Sequence, residues 1–191
     1  MKENWVNYQV SLFWITLLFF VLGMIHISLA LLGLLCFTIP FIQYYIYKDK
    51  VWCRYYCPRA GLFLKIIGKI SFKRKVPKFV TRKGMKIGVL IYFGLNMFFV
   101  IMTTLMVAFR GFEPMAVIRF MIVFEMPFNL PQFFDFSVSD TIIHLGYRIY
   151  SVMFTSTIVG IIFGVIFNPR TWCIFCPIQT LTTKKAVNHT E

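Results

Sequence analysis

The stretch QVSLFWITLLFFVLGMIHISLALLGLLCFTIPFIQYYIY, residues 9–47, decides the fold: its 39 residues contain no Asp, Glu, Lys or Arg. As one helix, at about 1.5 Å per residue, it would be about 58 Å long. The hydrocarbon core of a bilayer is only about 30 Å thick. The run therefore predicts two spans, 9–25 and 28–47, with a turn near Gly23–Ser28 where Gly23, His26 and Ser28 interrupt the Leu/Phe/Ile pattern. Neither half reads as a cleavable signal, because no A-x-A-like site or N-terminal basic cluster precedes a polar mature chain.

Two further spans are predicted, 87–109 between Lys86 and Arg110, and 148–167. The pair Ser139-Asp140 marks a helix start that would extend the last span back through the interface. Gly160 and Gly164 sit four apart in the fourth span, as Gly84 and Gly88 do before the third, a spacing that permits close helix approach. The whole chain agrees with this reading. Of its 191 residues 59% are hydrophobic, 14% charged and 19% aromatic, with mean hydropathy +0.74. Soluble domains run near 45–50% apolar and about 25% charged. Disorder, collagen and coiled coil are excluded. The expected fold is a single all-α integral membrane domain of four transmembrane helices, residues 1–191.

Charge orients it. The segment 48–86 carries 13 Lys and Arg (Lys48, Lys50, Arg54, Arg59, Lys65, Lys69, Lys73, Arg74, Lys75, Lys78, Arg82, Lys83, Lys86) against Asp49 alone. Segment 110–140 carries Arg110 and Arg119 against Glu113, Glu125, Asp135 and Asp140; the tail carries Arg170, Lys184 and Lys185 against Glu191. Basic segments stay on the cytoplasmic side. Both termini and 48–86 are then cytoplasmic in a multi-pass protein of the cell membrane, and 110–140 is outside. The apolar stretch between Glu113 and Glu125 is too short to span and contains Arg119, so it is expected to lie in the interface or re-enter, punctuated by Pro114, Pro127 and Pro131. Residues 60–86 read as an interfacial amphipathic helix followed by a basic loop: Leu62, Phe63, Ile66, Ile67 and Ile70 at helical spacing, with Lys65, Lys69 and Lys73 between them. This segment suits anionic lipid and also an acidic redox partner steered by charge. No nucleic-acid fold accompanies Lys73-Arg74-Lys75 and Pro77, so nucleic acid is not expected as a partner.

The feature that carries chemistry occurs twice. Trp52-Cys53-Arg54-Tyr55-Tyr56-Cys57-Pro58 and Trp172-Cys173-Ile174-Phe175-Cys176-Pro177 each follow an even-numbered span and precede a Leu (Leu62, Leu181), 120 residues apart from Trp to Trp. The chain thus reads as two pseudo-repeated hairpins, each followed by a Cys-Pro motif, and pairing them would bring Cys53, Cys57, Cys173 and Cys176 together. Cytosolic thiols stay reduced, which disfavours a structural disulfide. Tetrathiolate sites suit zinc or an iron–sulfur cluster, and a Cys-Pro ending is found in bacterial ferredoxin runs. Arg54, Arg59 and Arg170 lie in or beside the motifs and would offset the negative charge of four thiolates. Zinc, another metal and thiol redox chemistry stay open beside a 4Fe–4S cluster. Cys36, mid-span among Leu and Phe, reads as a small buried hydrophobe.

Spans, order and motifs together resemble the membrane core of the NapH/NosR/CcoG-type iron–sulfur proteins, over most of the chain. The resemblance implies 4Fe–4S binding at the motif cysteines and electron transfer between the quinone pool, flavin or cluster domains and partner oxidoreductases. It implies an electron-transfer component rather than a stand-alone enzyme. Two features depart from that family. No C-terminal ferredoxin-type cysteine run follows, and the second motif has two residues between its cysteines where the family motif, like the first, has three.

Other candidates are weaker. His26 and His144 fall near the outer face, as haem ligands, quinol proton acceptors or interfacial histidines in water-facing turns. Arg148 is a membrane arginine and so a functional candidate, or a partner for Glu113 or Glu125. Competing functions are a quinone-coupled thiol-disulfide oxidoreductase, whose active cysteines would belong on the opposite side, and a copper or zinc transporter or sensor. The ten Met residues form no Met-x-x-Met ladder across a span.

Overall fold

The computed structural model describes residues 8–49, 51–121, 124–126, 132–133 and 138–186. Lys50, Pro127, Pro131, Asp135 and Glu191, used in the sequence reading, lie outside them. The elements in order are α1 (Phe13–Ile25), a 3-10 turn (Ile27–Leu32) running into α2 (Gly33–Tyr47), a π-helical turn (Trp52–Tyr56), α3 (Pro58–Leu62), a second π-helical turn (Phe63–Ile67), α4 (Gly68–Ile70), α5 (Lys78–Thr81), α6 (Lys83–Arg110), strands β1 (Arg119–Phe120) and β2 (Phe124–Glu125), α7 (Asp140–Ile166), α8 (Thr171–Phe175) and α9 (Pro177–Ala186).

Three segments are long and apolar enough to cross a membrane: Ile27–Tyr47, Lys83–Arg110 and Asp140–Ile166. This is the pattern of a multi-pass membrane protein. The first expected span is shorter than its reading. Helix α1 has 13 residues, about 20 Å at 1.5 Å per residue, because residues 9–12 form turns ahead of it. The turn after it falls where expected. His26 leaves the helix with extended backbone, and its side chain accepts a hydrogen bond from Ser28 N–H to start the 3-10 turn. Helix α7 begins at Asp140, its first turn closed by Ile142 and Ile143 amides on the Ser139 carbonyl.

The chain divides into two compact units. One gathers Cys36–Ile91 with the chain up to Thr16 and the chain from Val159 onward. Its core depends on the small residues of α7. Phe63 fills the hollow over Gly160 and Ile67 the one over Gly164, where a Cβ on Gly160 would collide with the Phe63 ring. Gly84 and Gly88 face open space among the described residues, and that pair makes no close approach to any of them. The segment expected to lie flat in the interface instead buries Leu62, Phe63 and Ile67 in protein and leaves Ile66 and Ile70 exposed. Its end is tied down. The Ser71 hydroxyl donates to the Gly164 and Phe167 carbonyls at 2.9 and 3.2 Å, and the Phe72 amide donates to the Val165 carbonyl at 2.9 Å. These bonds satisfy carbonyls left open at the C-terminal end of α7.

The second unit gathers Leu17–Leu35 and Tyr92–Ile158. Ile27, Ala30, Ile118, Tyr147 and Tyr150 form its core, flanked by Phe19, Phe20 and Phe154. Here the segment after α6 folds into a short ribbon, Arg119 opposite Glu125 and Phe120 opposite Phe124. It is held to α7 through polar side chains. The amides of Met115, Arg119 and Met121 donate to His144 Nδ1, Ser151 Oγ and Thr155 Oγ1 at 3.0, 3.1 and 3.2 Å. Residues 144, 151 and 155 share one helix face, so a polar stripe inside an apolar helix serves as the docking rail for backbone that would otherwise be unpaired.

Candidate metal centre

The two Cys-Pro motifs build the same turn by different means. In the second, α8 closes with the Cys176 amide on the Trp172 carbonyl at 3.0 Å, a four-residue step. In the first, one extra residue widens the turn, and the Cys57 amide reaches the Trp52 carbonyl, five residues back, at 2.9 Å. Such π-type insertions are frequent at functional sites. After either turn the last cysteine adopts extended backbone and a new helix begins at the proline. Proline suits a first helical position, since its missing N–H would be unpaired there. Cys57 and Cys176 thus stand at helix N-termini. Gly61 N–H then donates to the Cys57 carbonyl at 3.2 Å and Thr180 N–H to the Cys176 carbonyl at 2.9 Å.

Both turns open on one cavity of about 50 Å³, several times the ~10–15 Å³ that one water needs. Its walls include Cys53, Cys57, Cys173 and Cys176, the four cysteines expected to converge, together with Trp52, Trp172, Phe63 and Arg59. Cys36 lines it too. The sequence assigns that residue to packing; the fold makes it a fifth thiol at the same place. All five cysteines are outside any disulfide and partly accessible. Among the described residues no group of three or more His, Cys, Asp or Glu is gathered as ligands of one ion.

Electrostatics tie the thiols together. Burial pushes the Cys57 thiol up, and Cys36, Cys173 and Cys53 add to the shift. Burial pushes Cys173 up to about 11; Cys176 adds to this while Arg170 and Arg59 oppose it. Cys176 is raised by burial against the Gln179 amide and Arg59. Amides at the starts of α3 and α9 favour the thiolates: that of Ala60 at Cys57, short of a formed cap bond, and those of Gln179 and Ile178 at Cys176. Of the three arginines, Arg59 lines the cavity and Arg170 acts on Cys173, whereas Arg54 is exposed and does not line it.

Gln9, unremarked in the sequence, connects the motifs. It is 1% exposed. Its Nε2 donates to the Cys53 carbonyl at 2.7 Å, and its Oε1 accepts from Arg170 Nη2 at 3.3 Å. The Gln9 carbonyl also lies against Gly61, where any Cβ would collide with it. The only signal in the sequence is a polar side chain at the mouth of a charge-free run. Trp172 adds a second feature. Its Nε1 is buried without a hydrogen-bond partner among the described residues, while the residue lines the cavity. An indole N–H is donor only.

The candidates expected at the outer face belong to the other unit. His26 and His144 are not in water-facing turns; both are buried, and each accepts a backbone N–H at Nδ1, from Ser28 and Met115. They cap and dock backbone, and His144 Nε2 is left unpartnered among the described residues. Glu125 pairs with Arg119 at 2.6 Å rather than with Arg148, whose Nε is buried and unpartnered among the described residues. Comparison with protein-family models, with curated proteins and with solved structures found no match.

Proposed function

We propose that the chain is a membrane-bound iron–sulfur electron-transfer protein. One observation carries the reading: cysteines from both motifs, 120 residues apart by their tryptophans, line one small cavity. The donor set, thiols alone, suits an iron–sulfur cluster or zinc, and the Cys-Pro endings favour the cluster. The orphaned Trp172 Nε1 fits as well, because hydrogen bonds to sulfur are one means by which proteins set cluster potentials. The resemblance to the NapH/NosR/CcoG-type proteins supports the same conclusion.

When bound, a 4Fe–4S cluster supplies one-electron chemistry. The chain's residues do the rest. Cys53, Cys57, Cys173 and Cys176 hold it, giving up their thiol protons on ligation. Arg59 and Arg170 offset the negative charge, Phe63 and the two tryptophans exclude water, and Gln9 keeps the motifs in register. A thiol-disulfide oxidoreductase is the poorer reading, since it needs a cysteine with lowered pKa and burial drives Cys57, Cys173 and Cys176 upward.

In this reading the chain crosses four times as two hairpins, α1 included, with both termini and residues 48–86 cytoplasmic. Lys69, Lys73, Arg74, Lys75 and Lys78 are exposed beside exposed Ile70, Phe72 and Phe79. That mixture rests on anionic lipid and steers an acidic redox protein or partner subunit toward the centre. Quinone in the membrane is the acceptor or donor on the other side. Iron and acid-labile sulfide, measured on anaerobically purified protein, test the proposal. Both are expected together; a colourless protein with stoichiometric zinc would reject it.

A further inference from the structure

Helix α2 delivers a thiol that neither motif accounts for. Cys36 lines the motif cavity, and Pro40, four residues on in the same helix, has no N–H to give the Cys36 carbonyl. The helix is therefore loosened by one backbone bond at the turn that faces the cavity. Cys36 also acts electrostatically on both helix-starting cysteines, and at Cys57 it comes second only to burial. The centre thus has five sulfurs within its walls, whereas a 4Fe–4S cluster takes four cysteines.

We propose that Cys36 is a reserve ligand of the centre, able to take the place of Cys57. This rests on the iron–sulfur reading above. The exchange is a ligand substitution with no change of oxidation state. The bond from iron to Cys57 sulfur breaks, a bond from iron to Cys36 sulfur forms, and the Cys36 thiol proton passes to the departing Cys57 sulfur. The missing amide at Pro40 lets the α2 backbone yield at Cys36 without losing a further helical bond.

Iron content and the electron paramagnetic resonance spectrum of the reduced, anaerobically purified protein separate the possibilities. Cys57→Ala is expected to keep iron with a shifted spectrum, Cys36→Ala to keep iron, and the double variant to lose it. Iron lost from Cys57→Ala as completely as from the double variant overturns the reserve role, and so does iron retained in the double variant. Wild-type protein without iron overturns the iron–sulfur reading itself, and the reserve role with it. A second measurement avoids dependence on variant folding. Dibromobimane, which bridges neighbouring thiols, is added to metal-free wild-type protein and the product is mapped by mass spectrometry. A bridged peptide pair containing Cys36 and Cys57 is expected; bridges among the motif cysteines that never include Cys36 would overturn the proposal.

Discussion

In the first motif the Cys57 amide reaches five residues back to Trp52; in the second the Cys176 amide reaches four residues back to Trp172. One motif has a residue more than the other, yet each ends with extended cysteine backbone, proline at a helix start, and a thiol on the same cavity. The π-helical turn absorbs the difference. Spacing between the two cysteines is thus a weaker constraint than the helix start that follows them. The surroundings differ more than the turns do. Position 61 must be glycine because the Gln9 carbonyl lies against it, while the matching position in the second motif carries Thr180.

The largest expected effect breaks the comparison outright. If the motifs hold one centre, Cys53→Ser and Cys173→Ser each abolish iron binding, as read by metal analysis; iron retained by either shows that the motifs act separately. Next, exchanging the matched residues tests the asymmetry. Gly61→Thr drives a side chain into backbone, and is expected to lower stability by about 1–3 kcal/mol or more. Thr180→Gly meets no clash; it loses some helix propensity and the hydrogen bond that the Thr180 hydroxyl donates to the Cys176 carbonyl at 3.0 Å, about 1 kcal/mol together. Thermal unfolding in detergent reads both, and equal losses would remove the distinction.

The thiols of the metal-free protein sharpen the comparison through pH. Cys173 is raised to about 11, above the ordinary thiol value, so its thiolate is scarcer at neutral pH. Alkylation at pH 7 is expected to be about 100-fold slower than for an open cysteine, and to keep rising tenfold per pH unit up to about 11. A neutral buried thiol also favours the fold below its unfolded pKa, and that contribution fades as pH rises from about 9 to 11. Mass-spectrometric labelling rates test this; a plateau near pH 8.5 would contradict the burial. The smallest effect concerns the paired tryptophans. Trp172→Phe removes the donor that would give a cluster sulfur one hydrogen bond of about 0.5–1.5 kcal/mol, or about 20–60 mV for one electron, and is expected to lower the reduction potential in a redox titration.

Charge and length made three of the helices legible, because a membrane permits few alternatives to a long apolar helix. That residues of both motifs line one cavity was hinted at by the Trp-Cys and Cys-Pro pattern occurring twice. What covers an apolar face was not. Leu62, Phe63 and Ile67 read identically whether lipid or helix α7 receives them, since both are apolar; only Gly160 and Gly164 hinted at the answer. Cys36 was illegible for the same reason, being a small apolar residue in an apolar run until the fold brings the motifs to it. Gln9 was missed because its partners are the Cys53 carbonyl and Arg170, one 44 and the other 161 positions away. The buried histidines were misread as wet because periodicity carries no information about the ribbon that docks on His144.

Iron K-edge X-ray absorption on the anaerobically purified protein tests the shared centre most directly. The expected spectrum has sulfur alone in the first shell and a resolved iron–iron vector beyond it. A first shell of nitrogen or oxygen, or sulfur with no second iron, would contradict a cluster held between the two motifs.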